Sequence, residues 1–163
     1  LWHPRPSVRI GVAFGTPTSN PSLEDEAAPE RREAAVIIKD VAEITPIIAG
    51  DNSELRELLH PDRDRVELGY SLACAVVKPG RSTTPHKLES SEVYYLIFGS
   101  GVMHLGDEAA PVHAGHCVYI PKGESQWIEN TGRIDLAFLC LVDPPWRPED
   151  ERILDDRSPD PES

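Results

Sequence analysis

Between Ala35 and Val142 the apolar positions recur every second residue, not with the 3.6-residue period of a helix, which predicts a strand-rich region. In Leu68 to Lys78 the alternation separates Leu68, Tyr70, Leu72, Cys74 and Val76 from the small Gly69, Ser71, Ala73 and Ala75. Such a pattern is expected where one face fills a core and the other is crowded. Further strands are predicted at Val93 to Phe98, Gly101 to Leu105, Cys117 to Ile120, Gln126 to Asn130 and Ile134 to Leu141. Turn chemistry separates them, at Lys78-Pro79-Gly80, Gly99 to Gly101, Gly106-Asp107, Ala114-Gly115, Pro121-Lys122-Gly123 and Asn130-Thr131-Gly132. Many short strands at this spacing predict an all-β sandwich or barrel. Ser53 to Leu59 is the one helical candidate, and it is short enough to be a strand instead.

The prolines bound this region. Five of the 16 fall in residues 1 to 34 and five in residues 144 to 163, so the folded unit is read as residues 35 to 145. Residues 1 to 34 form a Pro-rich, acidic arm; its stretch 16 to 34 has too little apolar surface to order itself, and residues 146 to 163 form a tail. Trp146, after Pro144 and Pro145, is expected to dock its ring on the core. The whole chain of 163 residues fits one domain, large enough to sustain a core without disulfides.

Charge narrows the partners. With 28 Asp and Glu against 16 Lys and Arg the net charge is −12, which repels nucleic-acid phosphates and anionic lipid alike. No apolar run approaches the ~20 residues of a membrane helix, and no secretory signal opens the chain. The three cysteines, Cys74, Cys117 and Cys140, sit in apolar runs without pair spacing and read as buried free thiols in a reducing compartment, the cytoplasm. No Walker-type loop, GxGxxG, GxSxG, CxxC or HExxH occurs, so nucleotide-cofactor and serine-hydrolase chemistry lack support.

One spacing carries chemistry. Gly80 is followed after five residues by His86, then Leu88, Glu92 and, six residues on, Gly99; after a gap of 15 residues come Gly115, Pro121, Gly123, Gln126 and Asn130. These two segments resemble the two conserved motifs of the cupin superfamily, in the compact form of its single-domain members. The resemblance implies a double-stranded β-helix (jelly roll) and a homodimer, with the segment Val36 to Ile48 covering a partner subunit. It implies further a divalent metal ion, Fe, Mn, Ni or Zn, held at the positions of His86, Leu88, Glu92 and Gln126. Leu88 cannot ligate, and an amide oxygen is a weaker donor than imidazole.

His86, Glu92 and Gln126, brought inward from three strands, therefore have two readings. One is an open metal site completed by water. The other is a hydrogen-bonded polar cluster, the Glu92 carboxylate accepting from Gln126 and from His86. His60, His104, His113 and His116 compete as replacement ligands, His60 foremost. By strand parity Tyr94 shares the face of Glu92 and lines the pocket, whereas Trp127 points opposite to Gln126.

Two functions follow. The first is a small-molecule enzyme of oxygenase, isomerase, decarboxylase or lyase type. In it the trio holds a metal or, without one, Glu92 and His86 act as an acid/base pair assisted by Tyr94. The second is a non-catalytic cupin that binds a small molecule and has lost its metal site.

Overall fold

The computed structural model describes residues 36–154; the acidic arm and the tail from Asp155 onward lie outside the described residues. The strands are β1 (Ile47–Ile48), β2 (Glu54–Leu59), β3 (Ser71–Val77), β4 (His86–Leu88), β5 (Ser91–Phe98), β6 (Ser100–Leu105), β7 (Glu108–His113), β8 (Cys117–Ile120), β9 (Gln126–Glu129), β10 (Leu136–Asp143) and β11 (Glu151–Ile153), with a short α-helix, α1 (Pro61–Asp64), and a 3-10 turn at Pro148–Asp150. They form a six-stranded sheet, β1-β2-β3-β10-β5-β8, and a five-stranded sheet, β11-β4-β9-β6-β7. The strand pairings are antiparallel. The all-β barrel expected from the strand spacing, in the jelly-roll form implied by the motif resemblance, is the observed architecture.

Period-two alternation builds the interior. On β5, Glu92, Tyr94 and Leu96 are buried, and on β10, Leu136, Phe138, Cys140 and Val142; Leu88, Met103, Val112 and Ile128 meet them from the other sheet. Along β3 the small residues Ala73 and Ala75 face the interior cavity. The crowded face anticipated from the sequence is thus the inner one, and its short side chains leave room inside the barrel.

The motif residues that ligate nothing hold the frame. Asn130 donates from Nδ2 to Val77 O and Ile134 O, both at 2.8 Å, and its Oδ1 accepts from Gly132 N–H, which locks the β9–β10 connection. The Gly123 N–H donates to Leu88 O at 2.8 Å and so ties the second motif to the first.

Several elements differ from the sequence reading. Residues 54–59 form β2, paired with β3; a seven-residue helix would have been too short to sustain itself. β7 was not anticipated because Ala109, Ala110 and Pro111 have low strand propensity, but β7 is an edge strand, where proline is tolerated. The second sheet takes its other edge from β11, beyond residue 145. Cys74 and Cys140 are buried and free, whereas Cys117 is free but exposed. β8 ends its sheet, and by strand alternation Cys117 and Tyr119 lie on its exposed face and Ile120 on its buried one.

Candidate functional site

Register brings the motif residues together. His86 on β4 lies directly opposite Gln126 on β9, and Glu92 reaches them from the facing sheet. The Gln126 Nε2–H donates to Glu92 Oε2. The other carboxylate oxygen accepts from the Cys140 thiol at 3.1 Å. Cys140 is itself the cross-strand neighbour of Tyr94, whose ring packs on Phe138 with centroids 4.5 Å apart. Glu92 therefore does accept from Gln126, as the polar-cluster reading expects, but its second donor is Cys140 and not His86. His86 instead gives its Nδ1–H to Thr84 O at 2.8 Å. In the neutral ring this leaves Nε2 as an acceptor.

Burial dominates the electrostatics. It pushes the Glu92 carboxyl above the usual carboxylate range, against the hydrogen bonds from Gln126 and Cys140 that pull it back. The Tyr94 hydroxyl and the Cys140 thiol are pushed well up, first by burial and then by the Glu92 charge. Each shift runs in the direction that favours the neutral form.

These groups border a cavity of about 530 Å³. His86, Leu88, Glu92, Tyr94 and Cys140 line its inner end. Ile44, Ile47, Ile48, Leu55 and Trp146 supply an apolar wall, and Asp51, Ser53 and Glu151 a second polar one. Asp51 Oδ1 accepts from the Ser53 N–H at 2.9 Å and from its hydroxyl at 2.7 Å. The Glu151 carboxylate lies over Gly50, where an added Cβ would come within 3.3 Å of both its oxygens. Gln126 does not line the cavity; it supports Glu92 from behind.

The other histidines are committed elsewhere. His60 is buried, accepts from Asp62 N–H at Nδ1 to cap α1, and meets Trp146 O through Nε2 at 3.0 Å, so both ring nitrogens are used. That contact helps seat Trp146, which packs against the core as expected. His104 stacks on Trp127 with centroids 4.3 Å apart, outside the cavity lining. His113 and His116 pack against each other at a tilt of 42° beside the β7–β8 turn. Sequence reasoning missed Asp51, Glu151 and the role of Cys140. Asp51 sits in the β1–β2 loop and Glu151 on the last strand, both outside the motifs, while Cys140 is masked by the apolar run of β10.

The donor set bears directly on whether a metal ion could sit here. One feature favours it: Gln126 Oε1 is buried without a partner. Three oppose it. Leu88 occupies a ligand position, both Glu92 oxygens already accept from protein donors, and among the described residues no three His, Cys, Asp or Glu side chains are placed to hold a metal. The residues present fit a hydrogen-bonded floor and do not fit a metal cage.

Two antiparallel sheets closing over a small-molecule-sized cavity, with paired glycine-framed motifs at its inner end, define a β-barrel of the jelly-roll class. The chain belongs to the cupin superfamily: the cupin domain model matches residues 73–142. An uncharacterized protein of Methanocaldococcus jannaschii is 40% identical over 121 residues, which is 74% of this chain and 96% of that protein. The oxalate-binding protein of Thermotoga maritima is 43% identical over 65 residues, 39% of this chain and 54% of that one. The crystal structure of a predicted oxalate decarboxylase from Thermotoga maritima superposes with a TM-score of 0.59 at 30% identity, over 66% of this chain and 99% of the other. Among the described residues no helix is long and apolar enough to cross a membrane.

Proposed function

We propose that the barrel cavity binds a small organic molecule directly, through a floor formed by His86, Glu92 and Tyr94, without a metal between protein and ligand. The observation that carries this reading is the double hydrogen bonding of Glu92 by Gln126 and Cys140 at the inner end of a ligand-sized cavity. Ligand sites of this kind are mostly apolar with a few convergent polar groups. Relatives whose names refer to oxalate support a small organic molecule as the general class.

Turnover by proton transfer is a second reading, favoured by the buried Glu92 carboxyl held above its usual range. A carboxyl shifted in that direction holds its proton to higher pH than an exposed one and is suited to exchange it with a bound substrate, with His86 Nε2 receiving one. Tyr94 then orients the substrate through its hydroxyl.

Elemental analysis of the untagged protein, beside Glu92→Ala, tests the metal-free floor. The expected result is no stoichiometric Fe, Mn, Ni or Zn in either protein and ligand binding that survives chelator. Near-stoichiometric metal in the wild type that is lost in the variant would overturn it.

We further propose a homodimer. Support comes from the exposed Val36 and Ile38 in the segment that precedes β1, and from Tyr95 and Tyr119, which are 49% and 63% exposed on the outer face of β5 and β8. Light scattering is expected to give twice the 18.0 kDa chain mass, and a monomer mass would refute the assembly.

A further inference from the structure

The polar walls of the cavity are rich in acceptors and poor in free positive charge. Asp51, Glu92 and Glu151 all line it. Glu57 and Arg63 line it too, but the Arg63 guanidinium donates to Glu57 at 2.5 Å, so that charge is already paired. His86 is only 4% exposed, and with Nδ1 given to Thr84 its Nε2 has no protein partner among the described residues and, in the neutral ring, is an acceptor. Trp146 borders the same space.

Resting on the reading of this cavity as a ligand site, we propose that the ligand carries a protonated amine. Its ammonium group sits among His86 Nε2, Asp51 and Glu151, with its apolar body against Leu55, Phe138 and Trp146. An ammonium offers three N–H donors and one positive charge to walls that present lone pairs and negative charge. A dicarboxylate such as oxalate offers only acceptors and meets like charge, which strongly disfavours it. Trp146 adds the aromatic surface on which organic cations are held. Burial holds the Glu151 carboxyl above its usual range; a protonated His86 opposes this and the Asp51 charge reinforces it. A desolvated Glu151 carboxylate gains from a cationic partner.

The test is isothermal titration of the full chain at neutral pH with three molecules of one shape: phenethylamine, phenethyl alcohol and phenylacetate. Oxalate and zinc or manganese salts are titrated separately. Phenethylamine is expected to bind about tenfold tighter than the alcohol, the worth of one charge-assisted hydrogen bond, and phenylacetate and oxalate not to bind. The double variant Asp51→Asn, Glu151→Gln keeps the Asp51 Oδ1 acceptor for Ser53 and is expected to lose the amine preference while still binding the alcohol. Alcohol or phenylacetate binding as tightly as the amine, or a preference unchanged in the variant, overturns the amine and leaves the cavity reading standing. A metal salt that binds and excludes the amine overturns it in favour of an inorganic cation. Binding of none of the molecules overturns both readings.

Discussion

Gly99→Val is expected to abolish folding. Gly99 has φ +87°, and a Cβ there would lie 2.5 Å from Asp135 O and 2.8 Å from Leu136 Cα. Those are backbone atoms at the entry to β10, next to the register shift at Ala137/Phe138, so neither can yield without dismantling the central pairing of the larger sheet. Left-handed backbone costs a β-branched residue about 1–3 kcal/mol, and overpacking adds about as much again or more. A domain whose total stability is about 5–15 kcal/mol has little left after such a loss. Gly115→Ala separates the two causes. Gly115 has φ +90° with nothing within 4 Å, so it bears only the conformational strain. Urea denaturation followed by circular dichroism should find the Gly115 variant folded with a lower midpoint and the Gly99 variant unfolded in buffer. A Gly99→Val protein with a wild-type midpoint would contradict this account.

Glu92→Ala is expected to remove ligand binding and also to weaken the fold. Alanine leaves the Gln126 amide and the Cys140 thiol without their acceptor, at about 1–3 kcal/mol for a buried donor left unmet, the thiol contributing least. Glu92→Gln keeps volume and an acceptor but cannot ionise, which isolates the charge. In the folded protein the Glu92 carboxyl titrates above its unfolded value. Between the two values the folded chain holds a proton that the unfolded chain has released, so stability falls as pH rises through that window. The stability of the wild type relative to Glu92→Gln is therefore expected to be constant at low pH. It should decline as pH climbs from the ordinary carboxylate range to the raised folded value. A difference that stays flat across the same range would show that Glu92 is not desolvated as described.

Much of this arrangement was legible because strand parity and motif spacing are local properties. β8 occupies Cys117–Ile120 as expected, and the alternation along β5 placed Tyr94 beside Glu92 inside the barrel. The Gln126–Glu92 bond followed from asking which buried polar groups need partners. What stayed hidden depends on where distant segments land. Nothing near Asp51 or Glu151 marks them as neighbours of His86. One is carried in by the loop before β2 and the other by an edge strand that pairs with β4. Cys140 reads as a small apolar filler until the register of β10 against β5 sets its thiol beside the carboxylate. The exposure of Cys117 was equally hidden, because an apolar run does not reveal which strand ends a sheet.

The wall of the cavity formed by Ile47 and Ile48 belongs to a strand of two residues, joined to the larger sheet only through β2. Segments held by so few backbone bonds open with a small fraction of the free energy needed to unfold a core strand such as β10. On the proposed ligand-site reading, peeling of this short edge strand would change how fast a guest enters and leaves, while the polar floor that would hold it stays in place.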